Sequence, residues 1–141
     1  MTTLIDELKS IVGTGGWKSS PVDLEPHLNE WRGQVVGKSP LLVMPRSTEE
    51  VAKVIRACAS TGTAIVPQGG NTGLCAGAVP DSSGEQILLS LTRLNRIRDI
   101  DPVNFSIEVE AGCVLAKIQD AAQSVDRLFP LSLGAEGSCQ I

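Results

Sequence analysis

Apolar residues recur every three or four positions at the start of the chain and predict a helix there. The helical pattern stops at Gly13, and its apolar residues are Leu4, Ile5, Leu8, Ile11 and Val12. Residues 14–40 follow no clean period and are rich in glycine and proline. We therefore expect an irregular lead-in that wraps over the surface.

Two short apolar runs on either side of a second helical pattern predict a β-α-β unit. The runs are residues 41–44 and 64–67. Between them, Ser47 precedes Glu50 by three residues, which is the spacing of a helix capping box, and Gly62 ends the pattern. Strand, helix and strand in this order predict a right-handed parallel unit.

The second half of the chain carries a different pattern. Residues 87–91 predict a third buried strand, and residues 106–110 alternate polar with apolar, which is typical of a half-buried antiparallel strand. Apolar spacing over residues 114–125 predicts the last helix. The expected fold is therefore α+β, with a small parallel β-α-β subdomain followed by the start of an antiparallel α+β subdomain. The expected divisions are 1–40, 41–98 and 99–141.

Composition and charge narrow the possible partners. The 141 residues are 42% hydrophobic and 20% charged, enough for one compact domain or two small subdomains that share a cofactor. A formal net charge of -4 without a basic block argues against nucleic acid and anionic membrane surfaces. No apolar run approaches a membrane span and the start does not resemble a leader, so we expect a cytoplasmic protein with free thiols. The cysteines and the single histidine, His27, form no metal-ligand pattern, so no metal site is predicted.

A glycine-rich loop over residues 68–78 is the strongest candidate for chemistry, because it directly follows a predicted buried strand. Glycine leaves no Cβ in the way of a ligand, so consecutive backbone N–H groups can converge on one anion. Asn71 and Thr72 add side-chain donors, and no lysine or arginine lies in the loop. A pyrophosphate fits such a loop. From glycine content alone, a long structural turn explains the loop about as well.

The last segment, residues 129–141, is a second run of small residues that would let the backbone approach a flat ligand. By itself a polar turn explains it equally well. Taken with the loop, it completes a set of motifs along the chain. The motifs are Pro67-x-Gly-Gly-Asn-Thr-Gly-Leu74, Gly77-Ala-Val-Pro80, Leu89-Ser-Leu-x-Arg-Leu-Asn-Arg-Ile97, Val109-Glu-Ala-Gly112 and Phe129-Pro-Leu-Ser-Leu-Gly-Ala-Glu-Gly-Ser-Cys-Gln-Ile141. Together they resemble a known family, the FAD-linked oxidases of the p-cresol methylhydroxylase and vanillyl-alcohol oxidase superfamily. Within that superfamily, the chain is most similar to the branch of D-2-hydroxyglutarate dehydrogenase, D-lactate dehydrogenase and the glycolate oxidase flavin subunit.

The resemblance implies FAD held between the two subdomains, with its pyrophosphate on the glycine-rich loop. Ala76 stands where relatives often have glycine. Because no histidine lies near the loop, we expect noncovalent FAD, and His27 is expected to be a surface or packing residue. The positions that match cofactor-binding positions of the family are Pro45, Pro67, Gly69, Gly70, Asn71, Thr72, Gly73, Leu74, Gly77, Ala78, Gly134, Ser138 and Ile141.

The resemblance also implies an enzyme that oxidises a D-2-hydroxy acid to the 2-oxo acid and passes electrons to an acceptor. In relatives the groups that bind the hydroxy acid lie beyond the last motif, so no catalytic residue is assigned. We expect an N-terminal fragment of such an enzyme that is mostly free of FAD when isolated. Self-association or local disorder is expected beyond residue 99. The alternative is a noncatalytic module that binds a ligand or partner with the same half-site.

Overall fold

The computed structural model describes residues 2–141 and consists of short helices and strands in alternation. The helices are α1 (Thr2–Val12), α2 (Pro21–Leu28), α3 (Thr48–Ser60) and α4 (Leu115–Gln123). The strands are β1 (Trp17–Lys18), β2 (Leu42–Val43), β3 (Ile65–Gln68), β4 (Ile87–Ser90), β5 (Ile97–Asp101) and β6 (Ser106–Val109). They form a four-stranded sheet and a separate two-stranded sheet.

The four-stranded sheet has the order β1-β2-β4-β3. Strand β4 pairs in parallel with β2 on one side and with β3 on the other, and β1 adds an antiparallel edge. All residues of β4 are buried, as its continuous apolar run predicts. The predicted parallel β-α-β unit is confirmed, and β4 occupies the place between its two strands.

Helices α1 and α3 pack together on this sheet. Leu4, Leu8 and Val12 of α1 share one core cluster with Val54 and Cys58 of α3. Helix α3 begins where its sequence predicts, because the hydroxyl of Ser47 accepts a hydrogen bond from the N–H of Glu50. The first helix therefore belongs to the core of the parallel unit, so this core includes residues on both sides of residue 40.

The expectation of an irregular segment over residues 14–40 is wrong in part. The segment contains β1 and α2, and the hydroxyl of Ser20 caps α2 by accepting from the N–H of Asp23. The apolar pattern missed α2 because it spans only 8 residues, contains Pro26, and buries only Leu24. Strand β1 has 2 residues, which is too short for a periodic signal.

The second unit consists of the hairpin β5–β6, helix α4 and the last segment. The hairpin is antiparallel, which confirms the antiparallel strand predicted from the alternation over residues 106–110. An isolated antiparallel bridge between Val114 and Gln140 holds the last segment against the start of α4. The unit meets the first sheet at Gly112, where an added Cβ would lie 1.9 Å from the carbonyl oxygen of Leu91.

Candidate functional site at the carboxyl edge of the parallel sheet

The glycine-rich loop leaves the sheet at the edge where the parallel strands end. Strands β2, β3 and β4 run in the same direction, so their carboxyl ends lie together. Ligands of open parallel sheets bind beyond this edge. The loop starts at Gly69, directly after β3, and therefore lies where such a sheet offers a site.

The backbone N–H groups of the loop have no acceptor inside the described part of the chain. Among the hydrogen bonds of residues 2–141, none starts from a backbone N–H of residues 69–78, and the first bonded amide is that of Val79, which donates to Ala76 at 3.1 Å. Six of these ten residues are half-buried, where N–H groups are normally paired, and Gly73, Leu74, Cys75 and Gly77 are exposed. Unpaired donors in sequence are the arrangement that an anionic ligand requires.

The glycines of the loop and of the last segment fall into two groups with different surroundings. A Cβ on Gly70 would lie 1.8 Å from the carbonyl oxygen of Ser138, so this glycine allows the two segments to touch. At Gly73, Gly77 and Gly134, by contrast, an added Cβ would meet nothing within 4 Å, and the backbone is not left-handed. No contact within the chain explains glycine at these three positions. They leave room for something that approaches the backbone from outside.

Gln68 fixes both ends of the loop. Its buried side-chain amide donates 2.9 Å hydrogen bonds to the carbonyl oxygens of His27 and Ala78, and its Oε1 lies 2.7 Å from Nδ1 of His27. Because the Gln68 nitrogen donates, Oε1 is the acceptor and Nδ1 of His27 carries the proton. His27 is thus a packing residue, as predicted. Sequence reasoning missed Gln68, because a polar residue at a strand end gives no pattern of its own.

Asn71 holds the loop rather than offering its side chain to a ligand. Its Nδ2 donates to the carbonyl oxygen of Asn29 at 2.9 Å and lies 3.5 Å from that of Pro26. The expectation that the Asn71 side chain supplies a free donor is therefore wrong, since the amide is occupied by the end of α2. Its backbone is left-handed, with φ of 53°, and Ala76 is left-handed at 57°. The left-handed φ angle of Ala76 is a physical reason why relatives often have glycine at this position.

A cation reaches the loop from a distant part of the sequence. The guanidinium of Arg32 donates to the carbonyl oxygen of Leu74 and, through Nε, to the buried carboxylate of Glu30 at 3.0 Å. Burial raises the pKa of Glu30, but hydrogen bonds from the Arg32 side chain and from the amides of Gln34 and Arg32 outweigh it and leave the pKa below its ordinary value. The loop itself lacks cations, yet the fold places one beside it.

The last segment and the loop line one open cleft of about 410 Å³. It brings together four of the predicted positions, and adds Trp31 and Ala135, which sequence reasoning did not select. The lining residues are Trp31, Thr72, Leu74, Gly134, Ala135 and Ser138. Beneath the cleft, the side chain of Gln140 lies against Gly69, and its Oε1 is buried without a hydrogen-bond partner.

The other nine predicted positions do not line this cleft, among them Pro45, Pro67 and Ile141. Pro45 is fully buried after β2, so its ring offers no surface to a ligand in this conformation. Pro67 lies in the edge strand β3, where its lack of an N–H costs no sheet hydrogen bond. Ile141 is half exposed and donates its N–H to the carbonyl oxygen of Cys113 at 3.0 Å.

Two features are absent from residues 2–141. No helix in this range is long and apolar enough to cross a membrane. Over the same range, no three or more histidine, cysteine or acidic side chains cluster closely enough to hold a metal ion.

Comparison with known proteins identifies relatives of this architecture. The FAD binding domain family matches residues 39–141. A mitochondrial D-2-hydroxyglutarate dehydrogenase of Danio rerio is 39% identical over 88% of the chain and 22% of its own length. The corresponding enzyme of Arabidopsis thaliana is 34% identical over 97% of the chain and 24% of its own length. A D-2-hydroxyglutarate–pyruvate transhydrogenase of Saccharomyces cerevisiae is 35% identical over 86% of the chain and 24% of its own length. The chain thus spans about a quarter of these relatives.

Solved structures share the fold at lower sequence identity. p-Cresol methylhydroxylase with bound substrate superposes with a TM-score of 0.80 at 21% identity, over 97% of this chain and 27% of that one. Alkyldihydroxyacetonephosphate synthase superposes with a TM-score of 0.77 at 20% identity, over 88% of this chain and 27% of that one. The predicted p-cresol methylhydroxylase-type fold is confirmed by these likenesses.

Proposed function

We propose a function for this chain on the ground that it belongs to the FAD binding domain family. The chain is the FAD-binding part of a flavin-dependent oxidoreductase that oxidises a D-2-hydroxy acid to the 2-oxo acid. The observation that supports this most directly is the run of unpaired N–H groups over residues 69–78, at the edge where parallel strands end.

The residues of the cleft fit FAD. The loop N–H groups would donate to the pyrophosphate, and the open positions at Gly73, Gly77 and Gly134 would let the backbone approach it. Gln68 and Asn71 would hold the loop in place, because both side chains bond to α2 or the loop end. FAD, when bound, supplies the hydride-accepting chemistry, and the protein orients it.

The substrate class of this proposal comes from the relatives. The chain is homologous to D-2-hydroxyglutarate and D-lactate dehydrogenases. A 2-hydroxy acid substrate and a separate electron acceptor are therefore proposed for the whole protein. No residue of this chain is assigned to proton abstraction from the substrate.

We also propose that the FAD is held noncovalently. The single histidine lies outside the loop, and its Nδ1 is occupied by Gln68. Denaturing the FAD-loaded chain in acid should release all the flavin into the supernatant and leave the intact mass of the chain unchanged. A yellow precipitate with added mass would contradict the proposal.

The location in the cell stays a prediction. We expect a cytoplasmic protein, while the relatives from Danio rerio and Arabidopsis thaliana are named as mitochondrial. Fluorescence microscopy of the tagged full reading frame in its own cells would decide between the two.

Gly73 gives the sharpest test of FAD binding. In Gly73→Val, the added Cβ meets no atom of the chain within 4 Å, and Gly73 is exposed between the cleft residues Thr72 and Leu74, so folding should be little affected. Loss of two hydrogen bonds to the pyrophosphate should weaken FAD binding at least about tenfold. The dissociation constant is measured by equilibrium dialysis, and thermal unfolding checks the fold.

Ala64→Val is the matched control, because Ala64 is exposed and precedes β3 at the opposite edge of the sheet. It adds similar bulk and should leave FAD affinity unchanged. If Gly73→Val binds FAD as tightly as the wild-type chain, the loop does not cradle the pyrophosphate. If the full reading frame that contains this chain shows no saturable FAD binding, the proposed function itself fails.

A further inference from the structure

A tight turn beside the glycine-rich loop is held more firmly than a surface turn requires. The carbonyl oxygen of Glu30 accepts from the N–H of Gly33 at 2.7 Å, and Gly33 has the left-handed backbone that closes such a turn. The buried carboxylate of Glu30 also accepts from the N–H and Nε of Arg32, both at 3.0 Å. Arg32 then reaches across to the carbonyl oxygen of Leu74. The turn and the loop are thereby joined through one guanidinium.

The residue that this turn presents is Trp31. It lies between the two residues of the ion pair, and 74% of its surface is exposed. It lines the same cleft as Thr72 and Leu74 of the loop and Gly134 of the last segment. A tightly held turn therefore places a large aromatic ring at the rim of the candidate cofactor cleft.

The other tryptophan, Trp17, is an indole with a packing role and gives a comparison for Trp31. Trp17 is half-buried against the core cluster, and the ammonium of Lys9 lies 4.3 Å from its ring centre. Trp31 has no comparable partner among the contacts of residues 2–141. Indole rings are usually covered, and an exposed one in a cleft is typical of a surface that stacks on a ligand.

We infer that Trp31 is a stacking residue for one of the planar rings of the bound dinucleotide. This inference rests on the proposed function and extends it to a position that the sequence motifs did not select. FAD carries two planar rings, the flavin and the adenine, and both offer the same stacking chemistry. The Glu30–Arg32 pair positions the indole, and Gly134, which lines the same cleft, has no side chain to occupy the space that a flat ring needs.

The test compares FAD affinity among variants of the two tryptophans by equilibrium dialysis. Trp31→Ala should weaken FAD binding about five- to tenfold, the usual effect of removing one stacked ring. Trp31→Phe should stay within about twofold of the wild-type chain, because phenylalanine still stacks. Trp17→Phe is the matched control and should not change FAD affinity. Circular dichroism should show all three variants folded, since Trp31 is exposed and the Trp17 change is conservative.

Two smaller ligands then identify the ring. FMN carries the flavin and ADP carries the adenine, so a loss in Trp31→Ala that is confined to one of them assigns the stacked ring and supports the inference. If Trp31→Ala binds FAD as tightly as the wild-type chain, the inference is overturned. The same holds if, in addition, the substitution converts a dimer to a monomer in sedimentation, since the indole would then be covered by a second copy of the chain. If the full reading frame that contains this chain does not bind FAD, the proposed function fails and this inference with it.

Discussion

Glu110 shows how one side chain closes the base of the β5–β6 hairpin, since it directly follows β6 and bonds to Arg96, which directly precedes β5. Its buried carboxylate accepts from the Arg96 guanidinium at 2.8 and 3.0 Å and from the N–H of Arg96 at 2.9 Å. These hydrogen bonds, the guanidinium first, outweigh the effect of burial and lower the pKa of Glu110 to about 2. The ionised form of Glu110 is therefore more stable, relative to the protonated form, in the folded chain than in the unfolded one.

Glu110→Gln should reveal this as a pH dependence. A carboxyl whose pKa falls from 4.5 to about 2 on folding stabilises the fold above pH 4.5, and that stability is lost as the pH falls toward 2. The variant should thus unfold more easily than the wild-type chain at neutral pH. The difference between the two free energies of unfolding should shrink as the pH falls from 4.5 to 2. Urea titrations across this range measure the difference.

Glu108→Gln is the control for that experiment. Its side chain is 63% exposed and pairs only with Arg98, so the substitution should change stability little at any of these pH values. If the difference in free energy of unfolding between the wild-type chain and Glu110→Gln stays constant down to pH 2, the Glu110 anion does not stabilise the fold.

The loop, α2 and β3 form a single support for the candidate site. Gln68 at the end of β3 bonds to α2 and to the loop end, while Asn71 of the loop bonds back to the end of α2. Helix α2 therefore matters for the site although none of its residues was selected by a motif. Its packing on the sheet is provided by Leu24, which joins Leu42 and Leu88 in a second small core cluster.

Gln68→Leu should loosen this support. The substitution removes the donors to the carbonyl oxygens of His27 and Ala78 and should lower the free energy of unfolding by about 1–3 kcal/mol. The freed loop should also be cut faster by proteases within residues 69–78. Denaturant titration and limited proteolysis measure the two effects. Gln34→Leu, at an exposed position, is the control, and equal protease sensitivity in both variants would contradict the proposed support.

The molecule as a whole leaves apolar surface uncovered on its second unit. Val103, Phe105 and Leu128 are each about 80% exposed, at 82%, 78% and 83%. Phe105 and Leu128 line a small apolar pocket between the β5–β6 hairpin and the end of α4, and Val103 lies in the turn of the same hairpin. The hairpin also has only two strands, so each strand has one unpaired edge. Both features favour association with another copy of the chain.

We therefore predict that the isolated chain self-associates through its second unit. The double substitution Val103→Lys with Leu128→Lys should shift sedimentation toward the monomer at high concentration, because charged side chains are costly to bury. Val22→Lys is the matched control, since Val22 is 80% exposed on α2 in the first unit. A wild-type chain that sediments as a monomer at every concentration would refute the prediction.

Local patterns carried much of the fold. The capping pair Ser47 and Glu50, the apolar run of β4 and the alternation in β6 each depend on neighbours along the chain, so they could be predicted from sequence. Helix α2 and strand β1 could not, because they are short and are stabilised by contacts with β2 and the loop. The position of β4 between β2 and β3 also depends on pairing between distant segments.

The same division holds for the candidate site. The sequence by itself determined that the loop over residues 69–78 is rich in glycine and follows a buried strand, because glycine content and strand pattern are local properties. Only the tertiary structure decided that Gly70 touches the last segment while Gly73 faces open space. It also decided that Arg32 and Trp31 lie beside the loop. Contacts between residues far apart in the chain leave no periodic signal, since they arise only when separate elements pack together.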